Sequence, residues 1–277
     1  MTRIAFGLPE VEAWAKFSGD FNPIHFDLQR ARSAGLDGLV VHGMLALMPV
    51  KAELATAASA SAGRLDAQTR EAPWMKFHAL FRRSIPHDSV SLLTLRASKT
   101  VGLDFRLNAS DTQEERFRGS YAPASDHGSW LETHRLDERS FSALAPGEAQ
   151  RFAQSYPAVQ EGWIALDAII FADFIRTKLD AIALMVRKDF RQVMGMSTNS
   201  GVFVQVSHTV FINTSVLRTP GPLPFDCGQL SYAMAPPELI ANQGNLVGSV
   251  SLPVVHGKTL VMLIEIGLLA RPAIDHH

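Results

Sequence analysis

The sequence predicts an α+β protein that uses one plan twice: a long apolar helix wrapped by a curved antiparallel sheet. Three observations lead there. Residues 39–54 and 163–179 are each apolar and long enough for a buried helix. Each is followed by runs in which apolar and polar residues alternate with a period of two, about four strands each time. Between them, residues 123–150 are polar, with Asp, Ser, His, Gly and Glu throughout, and read as a connector crossing a surface. The likeness of the halves is one of order; no residue-level repeat joins them. The expected division is residues 1–124, a connector at 125–150, and residues 151–277.

Taken in order, residues 2–6 form a short strand. Pro9 then opens a helix, because its fixed φ suits a first turn and its missing N–H is not needed there. Leu8, Val11, Trp14 and Phe17 are expected on one face of it. Ser18-Gly19-Asp20 ends the helix, and residues 21–28 are turn-rich around Asn22-Pro23. Within the apolar segment 39–54, Pro49 should kink the helix or end a first piece of it.

Periodicity then changes from helical to two. Met75, Phe77, Ala79 and Phe81 alternate with Lys76, His78, Leu80 and Arg82. Val101, Leu103, Phe105 and Leu107 alternate with Gly102, Asp104, Arg106 and Asn108. Residues 89–97 and 115–121 supply two further strands, and Pro86-His87-Asp88 is a turn. Trp74, Phe77 and Phe81 are expected in the core.

In the second half, Leu166, Ile169, Ile170 and Phe174 give helical spacing. Strand-like runs follow at 202–212, 229–234, 245–255 and 259–269. The run 244–249 lacks the lysine of a phosphate loop and reads as a strand or bulge.

Composition removes several function classes. The chain is 47% hydrophobic and 19% charged, an ordinary globular balance. Its net charge of −1, without a basic run, gives no reason to expect nucleic acid. Cys227 is the one cysteine, which excludes an internal disulfide and a cysteine-rich metal site. No long apolar segment follows a basic start, so no secretory signal is expected. Residues 260–270 are apolar but contain Glu265 and are too short to cross a bilayer. A cytoplasmic location is therefore expected.

The chemistry is concentrated in Gly19-Asp20-Phe21-Asn22-Pro23-Ile24-His25, followed by Val41-His42-Gly43-Met44-Leu45. Asp20 and His25 flank a rigid turn, since Pro23 fixes one dihedral and restricts Asn22. A carboxylate and an imidazole can thereby face one small volume, a pairing suited to gripping and activating a water molecule. Gly43 stands near the start of the buried helix, where a ligand can approach the backbone closely. Free amides at a helix N-terminus stabilise developing negative charge.

These two segments closely resemble the MaoC-like, R-specific enoyl-CoA hydratase family, over residues 8–54. The resemblance implies a hot-dog fold, here doubled within one chain. It implies reversible addition of water across the C2=C3 bond of a trans-2-enoyl thioester, giving the (3R)-hydroxyacyl thioester in fatty-acyl metabolism. Asp20 and His25 carry over as the catalytic pair and the Gly43 amide as the oxyanion donor. Asn22 and Pro23 shape the turn, with His42 and Met44 beside them. No metal or organic cofactor is needed, and the partner is an acyl-CoA or acyl-carrier-protein thioester. The second half lacks the motif, because Asp167, Asp173, His208 and His256 do not have its spacing. One active site is expected, with the C-terminal unit paired against the first within the chain, and a homodimer is open.

Other readings compete. Asp27 is expected to cap or be solvated more than to tune His25, and His42 to be structural. A metal held by His25, Asp27 and His42 lacks a familiar ligand spacing. A serine nucleophile would need a G-x-S-x-G context, which is absent. A thioesterase fits by fold analogy alone, and a non-catalytic acyl-binding module fits the duplicated layout with a single motif.

Overall fold

The computed structural model describes residues 1–61, 72–194, 201–217, 227–242 and 245–272. The first half contains β1 (Thr2–Ala5), α1 (Leu8–Ser18), a 3-10 turn (Pro23–His25), α2 (Leu28–Ser33) and α3 (Gly43–Ser61). Strands β2 (Trp74–Phe81), β3 (Val90–Ala97), β4 (Leu103–Ala109) and β5 (Glu115–Ala124) follow. Next come α4 (Trp130–His134), a 3-10 turn (Glu138–Ser140), β6 (Ser142–Ala143) and α5 (Glu148–Ser155). The second half holds α6 (Gly162–Met194), β7 (Gly201–Asn213), α7 (Thr214–Leu217), a 3-10 turn (Cys227–Gln229) and β8 (Leu230–Tyr232). It closes with β9 (Glu238–Asn242), β10 (Asn245–His256) and β11 (Thr259–Pro272).

The described strands form one eleven-stranded sheet, ordered β1-β3-β4-β5-β2-β7-β11-β10-β8-β6, with β9 pairing off this path with β10. The seam between the halves is the antiparallel pair β2–β7, in which Phe77 faces Val210 and Ala79 faces His208. From that seam the strands recede in matching order. On one side stand β5, β4 and β3, and on the other β11, β10 and β9. A central helix followed by an antiparallel set of strands therefore occurs twice, four strands in the first half and five in the second, and the fold is an α+β double hot dog.

One core serves both halves. It joins Met44, Leu47 and Leu54 of α3 to Leu166 and Ile169 of α6, and both to Phe77, Val210 and Ile264 of the sheet. Each such side chain, fully buried, contributes about 1.5–3 kcal/mol relative to exposure. The expected parity of β2 and β4 holds: Phe77, Ala79, Phe105 and Leu107 are buried while Asp104 and Arg106 are exposed.

Several expectations are corrected. The apolar run from residue 39 is helical only from Gly43, the residue placed near the helix start, because the preceding backbone is already committed to a strand-like pairing. The Val41 amide donates to the Ile85 carbonyl, and the His87 amide to that of Leu39. Pro49 does not end the helix. It removes only the bond to the Leu45 carbonyl, and the surrounding buried face, Leu47, Val50 and Leu54, keeps the helix in place. Strand β4 begins at Leu103 because residues 98–102 are a turn: the Ser98 amide donates to the Gly102 carbonyl and Val101 is exposed. Leu8 is exposed, so the buried face of α1 is Val11, Trp14 and Phe17.

The stretch between the halves is not bare connector. Trp130, Leu131 and Phe141 cover the sheet's other face against Trp74, Phe211 and Leu263, and β6 adds an edge strand on β8. Helix α6 runs on to Met194, well past the expected end, and β9 was not expected. Of the run 244–249, residues 245–249 lie in β10 and residue 244 is outside the described residues.

Candidate active site

The motif is held by the end of α1. Gly19 takes φ +76° as its C-cap and returns its amide to the Ala15 carbonyl, a left-handed turn that glycine adopts without strain. The Ser18 hydroxyl donates to the Trp14 carbonyl and accepts from the Asp20 amide. From the other half, Arg176 donates to the Phe17 carbonyl at 2.8 Å. Four bonds thus position the turn that carries Asp20.

Asp20 accepts from the Asn22 amide at 3.3 Å, and the Asn22 side chain accepts from the Ile24 amide at 3.3 Å. These are Asx-type turns; Pro23 then starts the 3-10 turn that presents His25. Asn22 and Pro23 shape the loop and carry no titrating group. Asp27 caps α2 through the Gln29 and Arg30 amides.

The imidazoles are fixed by main-chain oxygens. His25 Nδ1–H donates to the Val40 carbonyl at 2.7 Å, leaving Nε2 with its lone pair. His42 Nε2–H donates to the Asp20 carbonyl at 2.9 Å, and its buried Nδ1 has no partner. The two rings stack, centroids 3.6 Å apart. Donor atoms of Asp20, His25 and His42 all lie within 4.8 Å of one another.

Asp20, His25 and His42 have the donor types for a divalent ion, although one nitrogen of each histidine is already committed to a carbonyl. The expected trio of His25, Asp27 and His42 does not form, because Asp27 is spent on its cap.

Burial sets the electrostatics. It raises the Asp20 carboxyl above its ordinary value, opposed by His25 and the Asn22 amide. It lowers His25, opposed by Asp20 and the Val40 bond, and takes His42 down to about 3 with help from His25. Both imidazoles are therefore neutral at neutral pH. Neither Asp20 nor His25 is locked to a permanent counter-ion, which leaves the pair able to exchange a proton.

His42 is also the N-cap of α3: its carbonyl accepts the first helical bond, from the Ala46 amide. The Gly43, Met44 and Leu45 amides consequently have no partner within the helix. Gly43 needs its missing side chain for space. A Cβ there would stand 2.8 Å from Phe81 Cε2 and 3.1 Å from Gln205 Oε1. Met44 points away into the core, where its sulfur meets the Lys51 ammonium at 3.6 Å.

Beneath this site lies a second polar cluster that sequence reasoning missed. Lys51 of α3 is paired with Asp167 of α6, and His208 Nε2 lies 3.0 Å from Asp167 Oδ1; all three are fully buried. His208 Nδ1 meets Gln205 Nε2 at 3.2 Å. Burial pushes Asp167 up, but His208 and Lys51 carry it below the ordinary carboxylate value. The available signal was a lysine and an aspartate in otherwise apolar helical runs, Met48-Pro49-Val50-Lys51 and Ala165-Leu166-Asp167-Ala168.

Fold and site together define a double hot-dog protein with its polar cluster at the start of one central helix. Residues 8–69 match the family model for the MaoC like domain. A mitochondrial 3-hydroxyacyl-[acyl-carrier-protein] dehydratase from Arabidopsis thaliana is 48% identical over 44 residues, 16% of this chain and 26% of that protein. The match thus spans about a quarter of that relative's length. A solved MaoC-like dehydratase superposes over 96% of this chain and 94% of its own with a TM-score of 0.50 at 10% identity. A Mycobacterium tuberculosis double hot-dog protein covers 97% and 94% with a TM-score of 0.42 at 13% identity. Matching structures include dehydratases and thioesterases alike. Among the described residues no helix is long and apolar enough to cross a membrane.

Proposed function

We propose that the chain hydrates trans-2-enoyl thioesters and dehydrates the corresponding (3R)-3-hydroxyacyl thioesters, with one site per chain. The observation that carries this reading is the meeting of Asp20 and His25 beside the helix start that offers the Gly43 amide. The thioester carbonyl oxygen sits on that amide, which draws charge from C2=C3 and stabilises the enolate that forms. A water molecule lies between Asp20 and His25. His25 Nε2 takes one of its protons as the oxygen bonds to C3. The Asp20 carboxyl, which burial biases towards its protonated form, delivers a proton to C2 and is recharged from His25. Both groups act from one face, which makes the addition syn; dehydration retraces the path. No step requires a metal or organic cofactor. The C-terminal unit serves as the partner hot dog, and the carrier is CoA or an acyl carrier protein.

The test is loss of enoyl absorbance with crotonyl-CoA, alongside a free-thiol assay. Wild type should consume the double bond without releasing thiol and should give the (3R) product. Asp20→Asn and His25→Ala should each lose about 10²–10⁴-fold. Normal turnover in both variants would falsify the assigned roles, and thiol release in place of hydration would identify a thioesterase.

A further inference from the structure

The C-terminal half has no motif of its own, yet it sends one side chain to the motif's helix start. Strand β7 carries an irregularity: its pairing with β11 shifts between Gly267, opposite Ser207, and Leu268, opposite Gln205. Val206 is the extra residue. Without it Gln205 and His208 would fall on opposite faces of the sheet; with it they share the helix-facing side, and their side chains touch. Bulges re-aim side chains in this way.

The orientation of the Gln205 amide follows from the buried cluster behind it. Asp167 accepts from Lys51 and from His208 Nε2–H. Lys51 already supplies the positive charge that balances Asp167, so a second cation in this dry core would be unpaired. His208 is therefore neutral and its Nδ1 is an acceptor. Gln205 Nε2–H donates to that nitrogen and to the Ser207 carbonyl. The remaining atom, Oε1, faces Gly43 and has no donor among the described residues.

An acceptor oxygen in this position cannot stabilise an oxyanion; the ligand group that meets it must bring a hydrogen. Given the hydratase reading, on which this inference rests, the oxygen at C3 belongs to Asp20 and His25. The nearest other donor on a biological thioester is the amide N–H two methylenes beyond sulfur, common to CoA and carrier-protein arms. We propose that Gln205 Oε1, delivered by the β7 bulge from the C-terminal unit, accepts the first amide N–H of the substrate's pantetheine arm beside the Gly43 oxyanion site. The site is then composite, with chemistry from one half and recognition of the arm from the other.

The experiment compares two crotonyl thioesters of equal size, the N-acetylcysteamine thioester and its S-(2-acetoxyethyl) analogue, in which oxygen replaces N–H. Wild type should prefer the amide in kcat/KM by about three- to tenfold, the range of one neutral hydrogen bond. Gln205→Met, of similar shape but without the acceptor, should lose that preference. No preference in wild type, a result that needs no variant, overturns the proposal. So does a preference that survives in Gln205→Met. If wild type hydrates neither ester, the hydratase reading fails. Affinities of the saturated butyryl pair, measured by calorimetry on wild type and Gln205→Met, then decide the Gln205 contact by the same two comparisons. Crotonyl-CoA and crotonyl-acyl-carrier protein, run beside them, both carry the amide, and the faster one identifies the arm's source.

Discussion

Asp20 with His25 and Asp167 with His208 use the same two residue types at two depths of one molecule. The first pair lies at the mouth of α3. Its carboxylate has only a 3.3 Å backbone amide and nearby neutral imidazoles to stabilise it, and burial raises it. The second pair is sealed in the core with a lysine in contact, and its carboxylate is held low. A carboxyl that must gain and lose a proton is poorly served by a permanent cation. A carboxylate that ties two halves together in a dry interior requires one.

The strongest way to break this contrast is to neutralise each aspartate in turn. Asp20→Asn should remove about 10²–10⁴-fold of turnover while its denaturant midpoint stays close to wild type. Asp167→Ala should instead cost about 3–5 kcal/mol of stability, because Lys51 is left buried without its anion. Urea unfolding measures both, and equal stability losses would erase the distinction. The double variant Lys51→Met/Asp167→Leu, which removes both charges, should recover most of what Asp167→Ala loses; no recovery would show that the cluster is more than an ion pair.

Gly43→Ala probes the ground between the clusters. Its Cβ must push against the Phe81 ring and Gln205 Oε1, an overpacking that typically costs about 1–3 kcal/mol. Turnover should fall by more than stability alone explains, since the displaced atoms border the amide proposed to hold the thioester oxygen. A crystal structure of the variant showing Phe81 and Gln205 unmoved would count against this.

The gentlest test is pH. His42 titrates at about 3 in the fold against 6.5 ordinarily, so below 6.5 the unfolded chain takes up a proton that the folded chain refuses. Stability from this group is complete above 6.5 and drains as pH falls towards 3. His25 adds to the loss in the same direction. His42→Gln should flatten the curve of unfolding free energy between those limits, and an unchanged slope would place the acid sensitivity elsewhere.

Much of this was legible in the chain. The paired helix-and-strand order, the buried parity of β2 and β4, and the turn joining Asp20 to His25 are local properties. They follow from apolar period, from proline's fixed dihedral and from contacts within a few residues. The strand-like pairing of the segment before α3 with residues 85–87 was not, because those partners are distant in the sequence. Nor was the role of Gln205, since a period of two gives no warning of a bulge.

What the sequence determined by itself is therefore the fold class and the six-residue segment, Asp20 to His25, that carries the candidate pair. The tertiary structure decided how the two halves are joined. Lys51 and Asp167 are 116 residues apart, and Asp167 and His208 are 41 apart. A charge in an apolar run announces that a partner is required, but only the packing of α3 and α6 against β7 selects which one. The free energy of a buried ion depends on the atoms that replace its water, and those come from distant parts of the chain.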